Sequence, residues 1–356
     1  MGGSRILSRY FFRDAALAWL AVLSVLLLIL LASRSVRFLS AAAEGNIPAD
    51  IVLSVVLLSA LRYLMIITPI SLLLGVMLAM GRMYKDQEIT AATACGVSLG
   101  GIAFPFMLLS AVAAVLTGML SLDLGPRAGR AVDQLTQQAR EELSYAPFES
   151  GRFTRMSDGG AIFYARETQD GGTRFQDIFI HAELPEFQGI VQARAGSQQV
   201  EGEDNVRKIV LESGRAYQNR DGDLAWDVFD FGRLILRFVP PPLLFESSET
   251  DIASTAQLLQ RDDPEAIAEL HWRMAAPIAV LLMVLIAVPL SHIGPRQGRY
   301  GKLVLGLLVY LVYANLLGAG QTALERGVVP TWAGLWWVHA GALVLGLWLW
   351  VRRARA

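Results

Sequence analysis

Runs of 18 or more apolar residues settle what this chain can be before any motif is considered. Ala15 to Ala32 carries no charge, and as a helix it rises about 27 Å, close to the ~30 Å of a bilayer's hydrocarbon core. Similar runs recur, and they predict a polytopic α-helical membrane protein with six transmembrane helices. The first is Ala15 to Ala32. The second is Ile51 to Met80, longer than one span and bent at Pro69. The third runs from Leu99 to Leu122, interrupted by Pro105, and continues into an amphipathic helix from Pro126 to Leu143. The fourth, fifth and sixth are Trp272 to Ile293, Leu303 to Thr322 and Thr331 to Val351. Basic residues precede the first run as in a signal peptide, but it is too long and no small-residue cleavage site follows, so it reads as a retained helix.

Charge divides the chain. Residues 123 to 271 hold 26 acidic and 15 basic side chains, whereas the rest holds 6 acidic and 16 basic. The predicted organisation is a membrane part at 1–122, an inserted soluble part at 123–271 and a second membrane part at 272–356. Bases near the helix ends fix the orientation. The N-terminus, the loop at Arg82, the Pro295 to Lys302 loop and the C-terminus carry eleven, while the segments opposite carry only Arg34, Arg37 and Arg326. The positive-inside rule then puts both termini in the cytoplasm and the acidic insertion outside.

That insertion reads as all-β from about Gly151 to Phe245. Ala161 to Ala165, Phe175 to His181, Val206 to Leu211, Trp226 to Phe231 and Leu234 to Phe238 are rich in β-branched and aromatic residues. Turn signals at Asp158-Gly159-Gly160, Asp170-Gly171-Gly172 and Asn219 to Gly222 separate them, and Pro240 to Pro242 closes the last. The spacing predicts an antiparallel sandwich or an open barrel. A single cysteine, Cys95, excludes an intrachain disulfide. Asp263 and Pro264 read as the N-cap and first residue of a helix leading into the fourth span.

Catalytic motifs are missing. Gly301-Lys302 is the nearest approach to a phosphate-binding loop, but Arg296 stands where glycine is needed and Leu303 where Ser or Thr would hold magnesium. His181, His271, His292 and His339 show no metal-ligand spacing, and no Gly-x-Ser-x-Gly elbow or Cys/His pair appears. No metal, no cofactor, no nucleic-acid partner and no catalysis are expected in this chain, so the energy for any transport comes from elsewhere.

Between the second and third spans lies Arg82 to Ser98. Lys85, Asp86, Gln87 and Glu88 lead into Ile89 to Cys95, enough for two helical turns, before Gly96 and Ser98 break the pattern. The segment reads as a surface helix with Glu88 facing a protein beneath, or as an ordinary solvated connection. With Asn46-Ile47-Pro48-Ala49, Glu269 to Arg273, Val288 to Ser291 and Pro295 to Arg299, it resembles the LptF/LptG permeases of the lipopolysaccharide export ABC transporter, across essentially the whole chain. The last motif and Ala94 to Ser98 lie nearer the LptF branch.

The resemblance implies a β-jellyroll in the periplasm and a Gram-negative inner-membrane location. It implies a partner permease, LptG, two copies of the ATPase LptB carrying ATP and Mg2+, and LptC and LptA as acceptors of lipopolysaccharide. It makes 82–98 the coupling segment, with Glu88 docked in the ATPase and Tyr84, Lys85, Asp86 and Ile89 beside it. Arg34 and Arg37 become contacts for lipid phosphates, which guanidinium forks suit, against plain snorkelling. Leu26, Leu30, Leu307, Tyr310 and Leu311 become candidates for the cavity wall. Arg62, an arginine inside a span, lines that cavity or makes a structural pair. Arg296 and Arg299 contact the ATPase or fix topology near headgroups. Two other classes stay open: a secondary transporter, which needs paired intramembrane carboxylates or an inverted repeat, and a membrane-anchored scaffold of another envelope lipid pathway.

Overall fold

The computed structural model describes residues 2–43, 49–145, 150–156, 161–170, 173–184, 187–201, 206–219, 226–238, 248–292 and 299–355. Asn46 to Pro48, the turn at Asp158, Gly171-Gly172, Arg220 to Gly222, the triple proline and Arg296 lie outside them. The chain divides into two compact units, Met1–Ser40 with Asp50–Asp133 and Ser247–Ala356, and Ala41–Ala49 with Gln134–Glu246.

The first unit is helical. In chain order come α1 (Gly2–Ala43), α2 (Ala49–Lys85), α3 (Glu88–Ala94), α4 (Leu99–Met119), a π turn (Leu120–Leu124) and α5 (Gly125–Tyr145), whose second half belongs to the other unit. After the insertion follow α6 (Glu249–Ile252), α7 (Thr255–Leu258), α8 (Pro264–Leu290), α9 (Arg299–Glu325) and α10 (Trp336–Arg355). Among the described residues, five helical stretches are long and apolar enough to cross a membrane: Arg5–Ser40, Ile51–Lys85, Leu99–Gln138, Pro264–Leu290 and Gly301–Glu325. The sixth expected span is helical as α10, but four tryptophans, His339 and three arginines keep it below that threshold. Tryptophan and arginine are residues of the membrane interface.

Helix α1 outruns the predicted first span at both ends, so Arg34 and Arg37 lie within it rather than past it. Hydropathy marks the lipid-facing part of a helix, whereas Ala, Arg, Leu and Ser continue it into polar surroundings at little cost.

Prolines inside the spans lack the N–H that would serve the carbonyl one turn back. Two such carbonyls are taken by side chains of other helical elements. Pro277 leaves that of Arg273, which accepts from Ser121 Oγ at 2.8 Å, and Pro289 leaves that of Leu285, which accepts from Trp350 Nε1 at 2.9 Å. In hydrocarbon an unpaired carbonyl is expensive, so each bond fastens α8 to a neighbour. Helix α8 is the most buried span and packs against α4, α9 and α10. Asp263 caps it by accepting from the Ala266 amide at 3.1 Å, with Pro264 first. Helix α1 meets α2 where Gly75 has no side chain. A Cβ there would lie 2.6 Å from Trp19 Cα, and Trp19 Nε1 donates to Ser71 Oγ at 3.1 Å.

The second unit holds one six-stranded antiparallel sheet: β1 (Phe153–Met156), β2 (Ala161–Gln169), β3 (Arg174–Leu184), β4 (Phe187–Glu201), β5 (Val206–Asn219) and β6 (Trp226–Phe238), paired in sequence order. Among the described residues it is a meander with edges at β1 and β6, neither a closed barrel nor two stacked sheets. The runs predicted as two strands, 226–231 and 234–238, are the single strand β6, while β1 and β4 come in addition.

A crease explains both the split and the core. In each strand pair from β2 to β6 the ladder skips one pairing, at the line Arg166, Asp177, Arg194, Ser213 and Gly232. Asp177 and Ser213 on that line have φ 48 and 53. Inward alternation slips there too, from Phe175 to Ile178 and from Leu211 to Gly214. A slip of one residue normally turns side chains to the other face. Here the backbone bends with it, so the sheet folds over its own apolar face. Phe163, Phe175, Ile180, Val191, Ile209 and Leu211 are fully buried in the fold. Arg166 and Asp177 pair at 3.0 Å beside the crease.

Candidate functional site

The segment predicted to couple is built by a turn and two anchors. Helix α2 runs on through Arg82, Tyr84 and Lys85, so the predicted 82–98 segment is the end of one helix followed by another. The Asp86 and Gln87 amides donate to the carbonyls of Arg82 and Tyr84 at 2.9 and 3.1 Å, and Gln87 takes the left-handed conformation, φ 60. The chain thereby reverses into α3. Ile89 and Ala92, three apart on one face, are buried, Ile89 in the apolar core of the helical unit. Lys85, Asp86, Thr90, Ala91, Thr93 and Ala94 are exposed. Tyr84 is buried edge-on to His292, 5.4 Å between ring centres. Of the residues predicted here, Tyr84 and Ile89 therefore support the helix from inside, and Lys85 and Asp86 form its open surface. Burial and the positive charges of Arg353 and Lys302 hold His292 below the ordinary imidazole range.

Glu88 stands between these groups, half-buried. Its Oε1 accepts from Tyr10 Oη of α1 at 3.0 Å. Its Oε2 is buried and has no hydrogen-bond partner among the described residues. Tyr10 Oη in turn accepts from Arg82 Nη2 at 3.3 Å, and Arg82 Nη2 lies 2.7 Å from Asp14 Oδ1. Sequence reasoning did not find Tyr10, or Arg82 and Asp14 behind it, as the support of Glu88; Asp14, an acid just before the first apolar run, was the available signal.

At the other end of α2 a second polar group forms. Arg273, 2% exposed, spends its donors on five acceptors: Glu269 Oε1 at 2.7 Å, the carbonyls of Thr250, Asp251 and Ala253 at 2.9–3.2 Å, and Thr255 Oγ1 at 3.3 Å. Apart from Glu269 on α8 itself, these acceptors lie on α6, α7 and the turn between them, so Arg273 binds that segment to α8. Arg130 donates to the Ile252 carbonyl at 2.6 Å. Arg62 pairs with Asp251 at 3.4 Å, both about one-third exposed. Arg34 sits over the ring of buried Tyr63, 5.4 Å from its centre, and Arg37 is exposed.

Between α2, α8 and α9 lies an apolar cleft of about 90 Å3, lined among others by Met65, Pro69, Trp272, Ala276, Tyr310 and Tyr313. Tyr310 Oη donates to the Ile66 carbonyl at 3.2 Å. Alanines on α8 leave the space, and the lining suits an alkyl chain better than a charged group. Leu26, Leu30 and Leu307 are partly exposed and Leu311 is exposed. These four do not line the cleft. Arg299 opens α9, and its side chain lies outside the described residues. No group of three or more His, Cys, Asp or Glu gathers among the described residues; Tyr313 Oη and His339 Nδ1 instead pair with each other at 2.9 Å.

A family described as "Lipopolysaccharide export system permease LptF/LptG" matches residues 9–352. Curated relatives named "Lipopolysaccharide export system permease protein LptF", from Escherichia coli K12 and from Shigella flexneri, are each 29% identical over 360 residues. That alignment covers 99% of this chain and 98% of each relative.

Proposed function

The chain belongs to the LptF/LptG family of lipopolysaccharide export permeases, and from that membership we propose that it is the LptF-type half of a transporter worked by a separate ATPase. It crosses the inner membrane of a Gram-negative cell several times, with both termini in the cytoplasm and the creased sheet in the periplasm. LptG is the other half. Two LptB subunits beneath bind ATP and Mg2+, and LptC and LptA take the lipid onward.

The observation that carries this reading is Glu88, an acid on a short surface helix with one oxygen held and the other left without a donor. When docking of the ATPase uncovers this oxygen, a cation of the ATPase forms a charge-assisted bond with it, and nucleotide-driven movement passes to the membrane helices. The outer half of α1 supports the cavity assignment. Val25, Leu28 and Ile29 are exposed there beside Leu26 and Leu30, a wall for acyl chains, with Arg34 and Arg37 further along for phosphates. Arg62, paired with Asp251, acts as a structural tie. The sheet offers β6 as an open edge carrying exposed Trp226, Val228, Phe229 and Ile235. Such an edge invites strand addition by the next β-domain.

Purification of the tagged chain from its own membranes tests the assignment. A second permease and an ATPase co-purify if it holds. A chain that moves lipid alone on an ion gradient contradicts it.

A further inference from the structure

Helix α1 is gripped firmly near its N-terminus and touched again at Phe38, which is buried, and at Arg34 over Tyr63, with a largely exposed stretch between. Phe11 and Ala15 are fully buried, Phe11 stacks on Phe106 of α4 with 6.2 Å between ring centres, and Trp19 lies against Gly75 and Ser71 of α2. Beyond this foot, Val25, Leu28, Ile29, Val36 and Leu39 are 57–69% exposed. A helix is stiff along its axis, so whatever moves the foot is passed on to the exposed stretch beyond it.

The residue at the foot that touches the coupling helix is Tyr10. Its phenol donates to Glu88 Oε1 and accepts from Arg82 Nη2, so a cation, a hydroxyl and a carboxylate stand in a row, closed at the far side by Asp14. Only a group that both donates and accepts fits the middle position, and a phenol does so on a side chain with few torsions. Among the described residues Glu88 Oε2 has no hydrogen-bond partner, so the grip fixes the carboxylate through one oxygen alone.

We propose that Tyr10 is a positioning residue for Glu88, and that the Tyr10–Glu88 contact makes α1 follow α3. The same push that an ATPase exerts on Glu88 then reaches the exposed part of α1 without passing through the rest of the bundle. Arg82 and Asp14 keep the phenol aligned and carry the movement to α2. This rests on the reading of Glu88 as the coupling acid.

The test uses the complete transporter in liposomes and reads lipopolysaccharide released per ATP hydrolysed for Tyr10→Phe, Glu88→Ala and the double variant. Tyr10→Phe is expected to assemble normally and to lower the ratio about tenfold or more, the size of one hydrogen bond to a charged group. Because both act through one contact, the double variant is no worse than Glu88→Ala alone. If Glu88→Ala exports normally, the coupling reading itself fails. If Glu88→Ala uncouples while Tyr10→Phe matches the native chain, or lowers the ratio equally in the Glu88→Ala background, the role of Tyr10 is overturned and the coupling reading stands. A second measurement covers a variant that does not assemble: spin labels at the exposed Arg9 and Thr90 keep their separation through the nucleotide cycle in the native chain. Labels that separate overturn the proposal.

Discussion

Arg62 of α2 and Asp251 of α6, 189 residues apart in sequence, meet at 3.4 Å, and the Asp251 carbonyl also accepts from Arg273. One short segment thus receives α2 through a side chain and α8 through its backbone. Arg273 is the stronger tie, since it is almost fully buried whereas the Arg62 pair is partly screened by solvent.

Replacing Arg273 by lysine keeps the charge but cannot serve five acceptors in a planar fork. Lysine's three donors leave buried carbonyls of α6 and the turn that follows without partners, while its charge still faces Glu269. The account predicts a loss on the order of 1–3 kcal/mol, seen as a clear fall in the thermal unfolding midpoint in detergent. An unchanged midpoint removes Arg273 from its place as the tie.

The crease makes a claim about Gly214, which faces Phe231 in the ladder. A Cβ there would lie 2.3 Å from the Gln192 carbonyl oxygen and 2.5 Å from Phe231 Cζ. Gly214→Val is therefore expected to destabilise the chain by about 1–3 kcal/mol and to hasten proteolysis within 187–238. Native-like protease resistance would show that the strands do not close this tightly.

Asp263 supplies a pH dependence. The hydrogen bond from Arg261 first, and the Ala266 amide after it, hold its carboxyl below the ordinary carboxylate range despite some desolvation. A carboxyl lowered in the folded state favours folding above its unfolded pKa and loses that contribution as the pH falls through the folded value. Asn caps a helix about as well without titrating. Asp263→Asn should thus flatten the acid limb of the unfolding curve below about pH 4; a limb as steep as the native one contradicts the assignment.

How much of this was legible in the sequence differs by interaction range. The apolar runs, the Asp263-Pro264 start of α8 and the two turns after Glu88 could be read because each is set by neighbours in the chain. Strand β4 could not, since Gln188 to Gln199 is mostly Ala, Gly, Gln and Arg, poor strand formers placed by pairing on both sides. The slip at Gly232 imitated a strand boundary. Contacts such as Tyr10 with Glu88 or Arg62 with Asp251 join distant stretches, and no local periodicity encodes them. The resemblance marked Glu88 as a docking acid, but not what holds it in place.

The lone cysteine offers a native probe of sidedness. Cys95 is exposed at the end of α3, the end assigned to the cytoplasm. A membrane-impermeant maleimide should leave it unlabelled in intact spheroplasts and label it in inverted vesicles stripped of the ATPase. Labelling in spheroplasts reverses the topology.

The central claim is that a passive permease is driven from below through one carboxylate, and ATP-dependent release of lipopolysaccharide from liposomes holding the native or the Glu88→Ala transporter tests it most directly. The account predicts that the variant assembles and hydrolyses ATP yet releases little lipid. Release at the native rate, or release by either transporter without ATP, would contradict it.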